Sequence, residues 1–190
     1  MVKALRPNAI ILHGDGNLWW GGALHEEYKW LKANGKLGTY VMYANDDTTF
    51  GEGYIEKGIE LIKEYPHSLI TGCGYSRNSG KLIDTAVEWD FKTFRMAEIT
   101  RADSVGNCAS TRSLFMEIEA LIKIGGFHPI LLPHYGSDYE WIMGADDDAV
   151  EAAEKPEVKV EIRHKYGIAL DDFLVITGGK IDAYGGRTED

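Results

Sequence analysis

Two acidic signatures about ninety residues apart carry the chemistry this chain can do. In the first, the apolar run Tyr40-Val-Met-Tyr-Ala stops abruptly at Asn45-Asp46-Asp47-Thr48. Ligands of open α/β sheets bind beyond the carboxyl ends of strands. Carboxylates there hold Mg²⁺ or Mn²⁺, hard cations that prefer oxygen and keep positions for phosphate oxygens. Such a metal offsets the charge that develops on a departing diphosphate. The second signature is His134-Tyr135-Gly136-Ser137-Asp138-Tyr139-Glu140-Trp141. A carboxylate placed like Asp138 removes a proton from a hydroxyl within hydrogen-bond reach. A helix start favours the ionised acid and lowers its basicity, while desolvation by Tyr135, Tyr139 and Trp141 works the other way. Each signature also has a purely structural reading. Asp46 or Asp47 caps the next helix, Asp138 is a first-turn helix acid, and His134 is a hydrogen-bonded structural histidine.

A Gly-rich turn adds a third segment, Gly14-Asp-Gly16-Asn17-Leu-Trp19-Trp20-Gly-Gly22. Glycines such as Gly14 and Gly16, flanking Asn17, let backbone approach a ligand closely, and Trp19 and Trp20 could form an aromatic wall. The alternative is a turn followed by core aromatics. The dinucleotide fingerprint is excluded, because Trp19 stands where its third glycine belongs. In Cys108-Ala-Ser-Thr-Arg112, the arginine offers a contact for an anionic group, and Ser110 or Thr111 a helix cap. No nucleophile elbow is present. Cys108 lacks the surroundings of a reactive thiol and pairs with Cys73 only in count, so two buried thiols are expected.

The elements that must position these residues alternate. Asn8–Leu12, Thr39–Ala44, Ser68–Cys73 and Lys81–Trp89 read as strands. Helical spacing links Leu24, Tyr28 and Leu31, with Gly35 as C-cap, and Ile55, Ile59 and Ile62, stopped near Pro66. Leu114–Ile124 reads as a helix ending at Gly125-Gly126. Ser137 and Glu140 fit a capping box that starts a helix running towards Ala153, with Asp146-Asp147-Asp148 in or just after it. The pattern predicts an α/β fold with a mostly parallel mixed sheet flanked by helices. Composition shifts near residue 149, which divides the chain into residues 1–148 and a C-terminal appendage, 149–190. There Glu157–Lys165 alternates and Phe173–Thr177 is strand-like.

The net charge of −10 over 190 residues argues against a nucleic-acid partner and against docking to anionic lipid. It also makes a metal or local cation useful for an anionic substrate. No apolar run is long enough for a transmembrane segment. With no signal peptide visible, a cytoplasmic protein is expected.

GDGNLWWGGA, the strand ending in NDDT, and STRSLFMEIEALIKIGGFHPILLPHYGSDYEW together resemble family 2 glycosyltransferases over roughly residues 8–145. The resemblance implies a GT-A fold that transfers sugar from a nucleotide-sugar donor to a sugar or glycan acceptor, with Mg²⁺ or Mn²⁺. It implies that Asp47 binds the metal, with Asp46 and Asn45 beside it at the nucleotide-sugar, and that Asp138 is the catalytic base. Ser137 replaces the Glu many relatives carry there, and no Q-x-x-R-W of processive synthases is present. The family's opening strand-helix-strand unit has no counterpart here. The segments Glu161–Ile168 and Phe173–Lys180 are weakly similar to part of GT-B glycosyltransferases.

The leading expectation is therefore a metal-dependent, inverting glycosyltransferase. Trp19, Trp20 and the Gly14–Asn17 turn shape its donor side, and His134, Tyr135 and Arg112 its acceptor side. A rival is a catalytically incomplete remnant that binds, or needs a partner, through an exposed sheet edge. A nucleotidyltransferase ranks last, because Gly14–Gly22 contains no Lys or Arg.

Overall fold

The computed structural model describes residues 4, 6–90, 92–100, 105–144 and 176–183. The elements in chain order are α1 (Trp19–Asn34), β1 (Tyr40–Ala44), β2 (Thr48–Phe50), α2 (Tyr54–Glu64), β3 (Ile70–Ser76), β4 (Leu82–Asp84), β5 (Val87–Asp90), β6 (Arg95–Glu98), β7 (Ser113–Glu117), α3 (Ile118–Ile124), α4 (Ser137–Gly144) and β8 (Ile176–Ala183). The main sheet has the order β1-β7-β3-β8-β2, with β4 also on β3, and β5 and β6 form a separate pair.

The sheet is not mostly parallel. Among the described residues only β3 and β8 pair in parallel, and every other ladder is antiparallel. The reason is β7, which runs against both β1 and β3 and so leaves those two pointing the same way. Sequence reading hid β7 inside an expected helix. Leu114–Ile124 in fact divides into strand up to Glu117 and helix from Ile118. Ser113–Met116 is buried throughout, and a short continuous apolar run cannot be assigned by periodicity alone.

The alternation of β7 builds the core on both faces. Leu114 and Met116 join Leu24, Tyr28, Tyr43, Leu121, Phe127 and Trp141 in one cluster. Phe115, one residue out of phase, joins Tyr54, Leu61, Ile62 and Ile70 in a second. Successive strand side chains point to opposite faces, so α1, α3 and α4 cover one side of the sheet and α2 the other. Gly58 lets α2 come close, because a Cβ there would stand 2.6 Å from the Phe115 ring.

Three further expectations change. Asn8–Leu12 forms no strand, and Ile10, Ile11 and Leu12 are exposed. Lys81–Trp89 is two strands, broken at Thr85-Ala86. No side-chain cap precedes α2, whose N-cap is Gly53 in the left-handed region at φ 73°. The α1, β1, α2 and β3 segments lie where periodicity and turn residues put them, and Gly35 caps α1 by donating to Leu31 O. The boundary near 149, the run Asp146–Asp148, Glu157–Lys165 and most of Phe173–Thr177 lie outside the described residues. Among the described residues no helix is long and apolar enough to cross a membrane.

Candidate active site

Because β7 runs antiparallel to β1, the residues entering β7 lie against those leaving β1. Ala44 is in register with Ser113, and Asn45 N–H donates to Arg112 O at 3.3 Å. The segment Ser110–Arg112 thus meets Asn45-Asp46-Asp47. β4 folds back on β3, with Gly74 opposite Asp84, and delivers a further carboxylate to the same place.

The Arg112 guanidinium lies between two acids. Its Nη1 is 3.5 Å from Asp47 Oδ1 and its Nε is 3.5 Å from Asp84 Oδ2. Ser110 Oγ donates to Asp84 Oδ2 at 2.7 Å and accepts from Arg112 N–H at 3.3 Å. Asp84 is thereby fixed, and only 9% of its side chain is exposed, against 47% for Asp47. Burial pushes the Asp84 carboxyl above the usual range. The Ser110 hydroxyl and Arg112 pull it down, and the Asp138 charge pushes it up. Sequence reasoning missed Asp84. The available signal was an acid in Leu82-Ile-Asp-Thr, at the edge of the buried run Thr85–Val87.

Asp138 is the second residue of α4 and is half-buried. Thr111 N–H donates to its Oδ2 at 3.2 Å and Tyr139 N–H to its Oδ1 at 3.1 Å. Burial raises its pKa, while the backbone N–H groups and the Arg112 charge lower it. The capping box does not form. Ser137 Oγ donates to His134 O, and the Glu140 carboxylate pairs with His128 Nδ1 at 2.7 Å. Core contacts hold α4 instead. Trp141 is 1% exposed, stacks on Phe127 at 4.4 Å and donates its indole N–H to Gly125 O at 2.8 Å.

The aromatic residues regroup. Trp19 lies beside His134, with ring centres 6.0 Å apart, and His134 stacks on Tyr135 at 4.4 Å. The start of α1 carries this loop. Gly21 N–H donates to Pro133 O at 2.8 Å, and a Cβ on Gly21 would meet Leu132 O at 2.6 Å. Trp19 is thus on the side of His134 and Tyr135, whereas Trp20 packs against the core. Gly16 and Asn17 are exposed, and Asn17 N–H makes a local bond to Asp15 Oδ1. Cys73 and Cys108 are both buried and free, and burial pushes the Cys108 thiol up to about 12.

The oxygen donors of Asn45, Asp46 and Asp47 are of the type a hard cation takes. Asp46 and Asp47 are exposed carboxylates. Asn45 Oδ1 and Thr111 Oγ1 are buried oxygens without a hydrogen-bond partner among the described residues. Also among the described residues, no group of three or more His, Cys, Asp or Glu side chains could by itself hold a metal ion. A closed cage is therefore not what these acids offer. These acids supply only part of a coordination shell and leave positions that other oxygen donors could fill.

The family model "Glycosyl transferase family 2" matches residues 1–120. The chain belongs to glycosyl transferase family 2. The family match contains Asp47, Asp84, Ser110 and Arg112, and ends before Asp138. Membership implies a sugar donor and an acceptor. No curated protein matches the chain.

Proposed function

We propose that this family 2 domain is a metal-dependent, inverting glycosyltransferase acting on a nucleotide-diphosphate sugar. One observation carries the reading. A half-buried carboxylate, Asp138, is tied through Thr111 to the segment whose next residue, Arg112, faces Asp47. Base and metal side therefore share one frame.

Asp47, with Asp46 beside it, would hold Mg²⁺ or Mn²⁺. The ion's contribution is to offset charge on the leaving diphosphate. Asp138 accepts the proton of the acceptor hydroxyl as that oxygen attacks the anomeric carbon from the face opposite the diphosphate. Two backbone N–H groups aim its carboxylate, and burial raises its basicity. Trp19, His134 and Tyr135 offer an exposed aromatic surface three to four residues from Asp138 in sequence at the closest, suited to the apolar face of a sugar ring.

Replacing Asp138 with Asn should lower transfer by at least about a hundredfold, the range typical of a lost general base, and leave UDP or GDP binding with Mn²⁺ nearly unchanged. Equal turnover by variant and wild type in a sugar-nucleotide hydrolysis and transfer assay would remove Asp138 from the mechanism.

A second reading rests on β1. It stands at the end of the sheet order and, among the described residues, pairs with β7 alone. An unpaired edge accepts another strand, so a partner chain would complete the site. Calorimetric titration of the chain alone with UDP or GDP and Mn²⁺ separates the two. Heat that disappears in Asp47→Ala supports the enzyme, and no heat supports the partner-dependent domain.

A further inference from the structure

We propose that Arg112 is an exchangeable counter-ion. It neutralises Asp47 until a nucleotide diphosphate draws it away, and so couples metal loading to nucleotide binding. This rests on the glycosyltransferase reading for the identity of the anion, but not for the exchange at Asp47.

The two partners of Arg112 are unequal. Asp84 is nearly covered and locked by the Ser110 hydroxyl at 2.7 Å. Asp47 is about half exposed, and among the described residues its side chain meets Arg112 and the Thr48 hydroxyl, each at 3.5 Å. Both guanidinium contacts are 3.5 Å. Charge-assisted N–H···O bonds are shorter, near 2.7–2.9 Å, so the guanidinium is shared between the acids, and the burial and Ser110 bond of Asp84 make it the fixed partner. Asp84 is the fixed anchor and Asp47 the replaceable one. A divalent cation approaching Asp47 alone meets the guanidinium charge and must displace it. A diphosphate offers the same guanidinium a better partner, because its planar fork matches phosphate oxygens. As the guanidinium turns to the phosphate, Asp47 would be freed to hold a metal. Asp84 holds the Nε end throughout, so Arg112 stays within the site. Asp84 and Arg112 are positioning residues in this scheme, acting through Asp47 and the diphosphate.

The test compares wild type with Arg112→Gln and with the double variant Arg112→Gln, Asp84→Asn. The double variant loses one positive and one negative charge, so its net charge equals that of wild type. It also leaves no stranded buried carboxylate, the main cost of removing Arg112 alone. Free Mn²⁺ is followed by its electron paramagnetic resonance signal, first with Mn²⁺ alone and then in a UDP titration at fixed Mn²⁺. Mn²⁺ alone should bind the double variant about two- to fivefold more tightly, the scale of a partly exposed ion pair. UDP should bind it about tenfold more weakly, the scale of a lost charged hydrogen bond. This opposite pair of shifts is what the exchange demands, and general loosening of the site would weaken both. Equal or weaker Mn²⁺ binding, including none in either protein, overturns the proposal. Tighter Mn²⁺ with unchanged UDP binding overturns the exchange with diphosphate. If wild type binds neither UDP nor GDP, the glycosyltransferase reading fails, while the comparison with Mn²⁺ alone still decides whether Arg112 guards Asp47.

Discussion

At the scale of single residues, Asp138 is governed by opposing influences that do not cancel. Burial disfavours its charge, and this outweighs the Thr111 and Tyr139 N–H groups and the Arg112 cation, so its pKa stands above the ordinary carboxylate value. For a base this has a direct reading. The proton is held more tightly, and the active, ionised form is lost at a higher pH than an exposed aspartate would allow. The acid limb of kcat/KM should therefore lie above the usual carboxylate range. It should move further up in Arg112→Gln, which removes a cation that lowers the pKa. A limb that stays put in Arg112→Gln would show that Asp138 is not the group titrating. The same shift has a stability side. Ionised Asp138 costs the native state, so the penalty is full above its folded pKa and fades as pH falls towards the unfolded value. Asp138→Asn should thus melt above wild type at neutral pH, with the gap closing in acid. A gap that widens on acidification would contradict the raised pKa.

At the scale of elements, β7 positions everything that matters. Its start carries Ser110–Arg112 to Asp47, and its two faces anchor opposite layers. The contact between β7 and α2 depends on a missing side chain. A Cβ on Gly58 would lie 2.6 Å from two atoms of the Phe115 ring, and Phe115 is 2% exposed and packed against Tyr54, so the ring has little room to yield. Gly58→Ala should destabilise the fold by about 1–3 kcal/mol, the usual cost of overpacking, even though alanine is the better helix former. A denaturant midpoint equal to wild type would mean that α2 shifts freely. The elements that the sequence announced were those with period and punctuation, such as α1 ending at Gly35 and α2 stopping just before Pro66. β7 was illegible because it is buried on both faces and runs directly into α3, so no turn residue marks the change of period. The strand direction was lost with it. Asp47 and Asp138 stand out in sequence because each interrupts or follows a distinctive run. Asp84 does not, since its importance comes from β4 folding back on β3, a pairing no local pattern encodes. The regrouping of Trp19 with His134 has the same origin, in the packing of the α1 start under the loop at Pro133.

At the scale of the whole molecule, the question is what the sheet needs in order to be complete. β8 lies beyond the family match and still enters the main sheet between β3 and β2. It pairs with β3 from Ile70 to Ser76, with a register shift opposite Gly178-Gly179, the kind of irregularity glycine accommodates in a strand. β7 and β4 occupy the other side of β3. Without β8, one whole edge of β3 would lose its partners, and unpaired edges promote association. A chain ended after Gly144 should therefore melt at lower temperature and associate as concentration rises in sedimentation velocity. In hydrogen exchange, the β3 amides facing β8 should lose protection, while those bonded to β7 and β4 keep theirs. Loss of protection across the entire strand would mean that truncation unfolds the sheet, and β8 would then be essential rather than completing. Unchanged protection would mean that β3 does not depend on β8 and that the segment up to Gly144 carries the candidate site by itself.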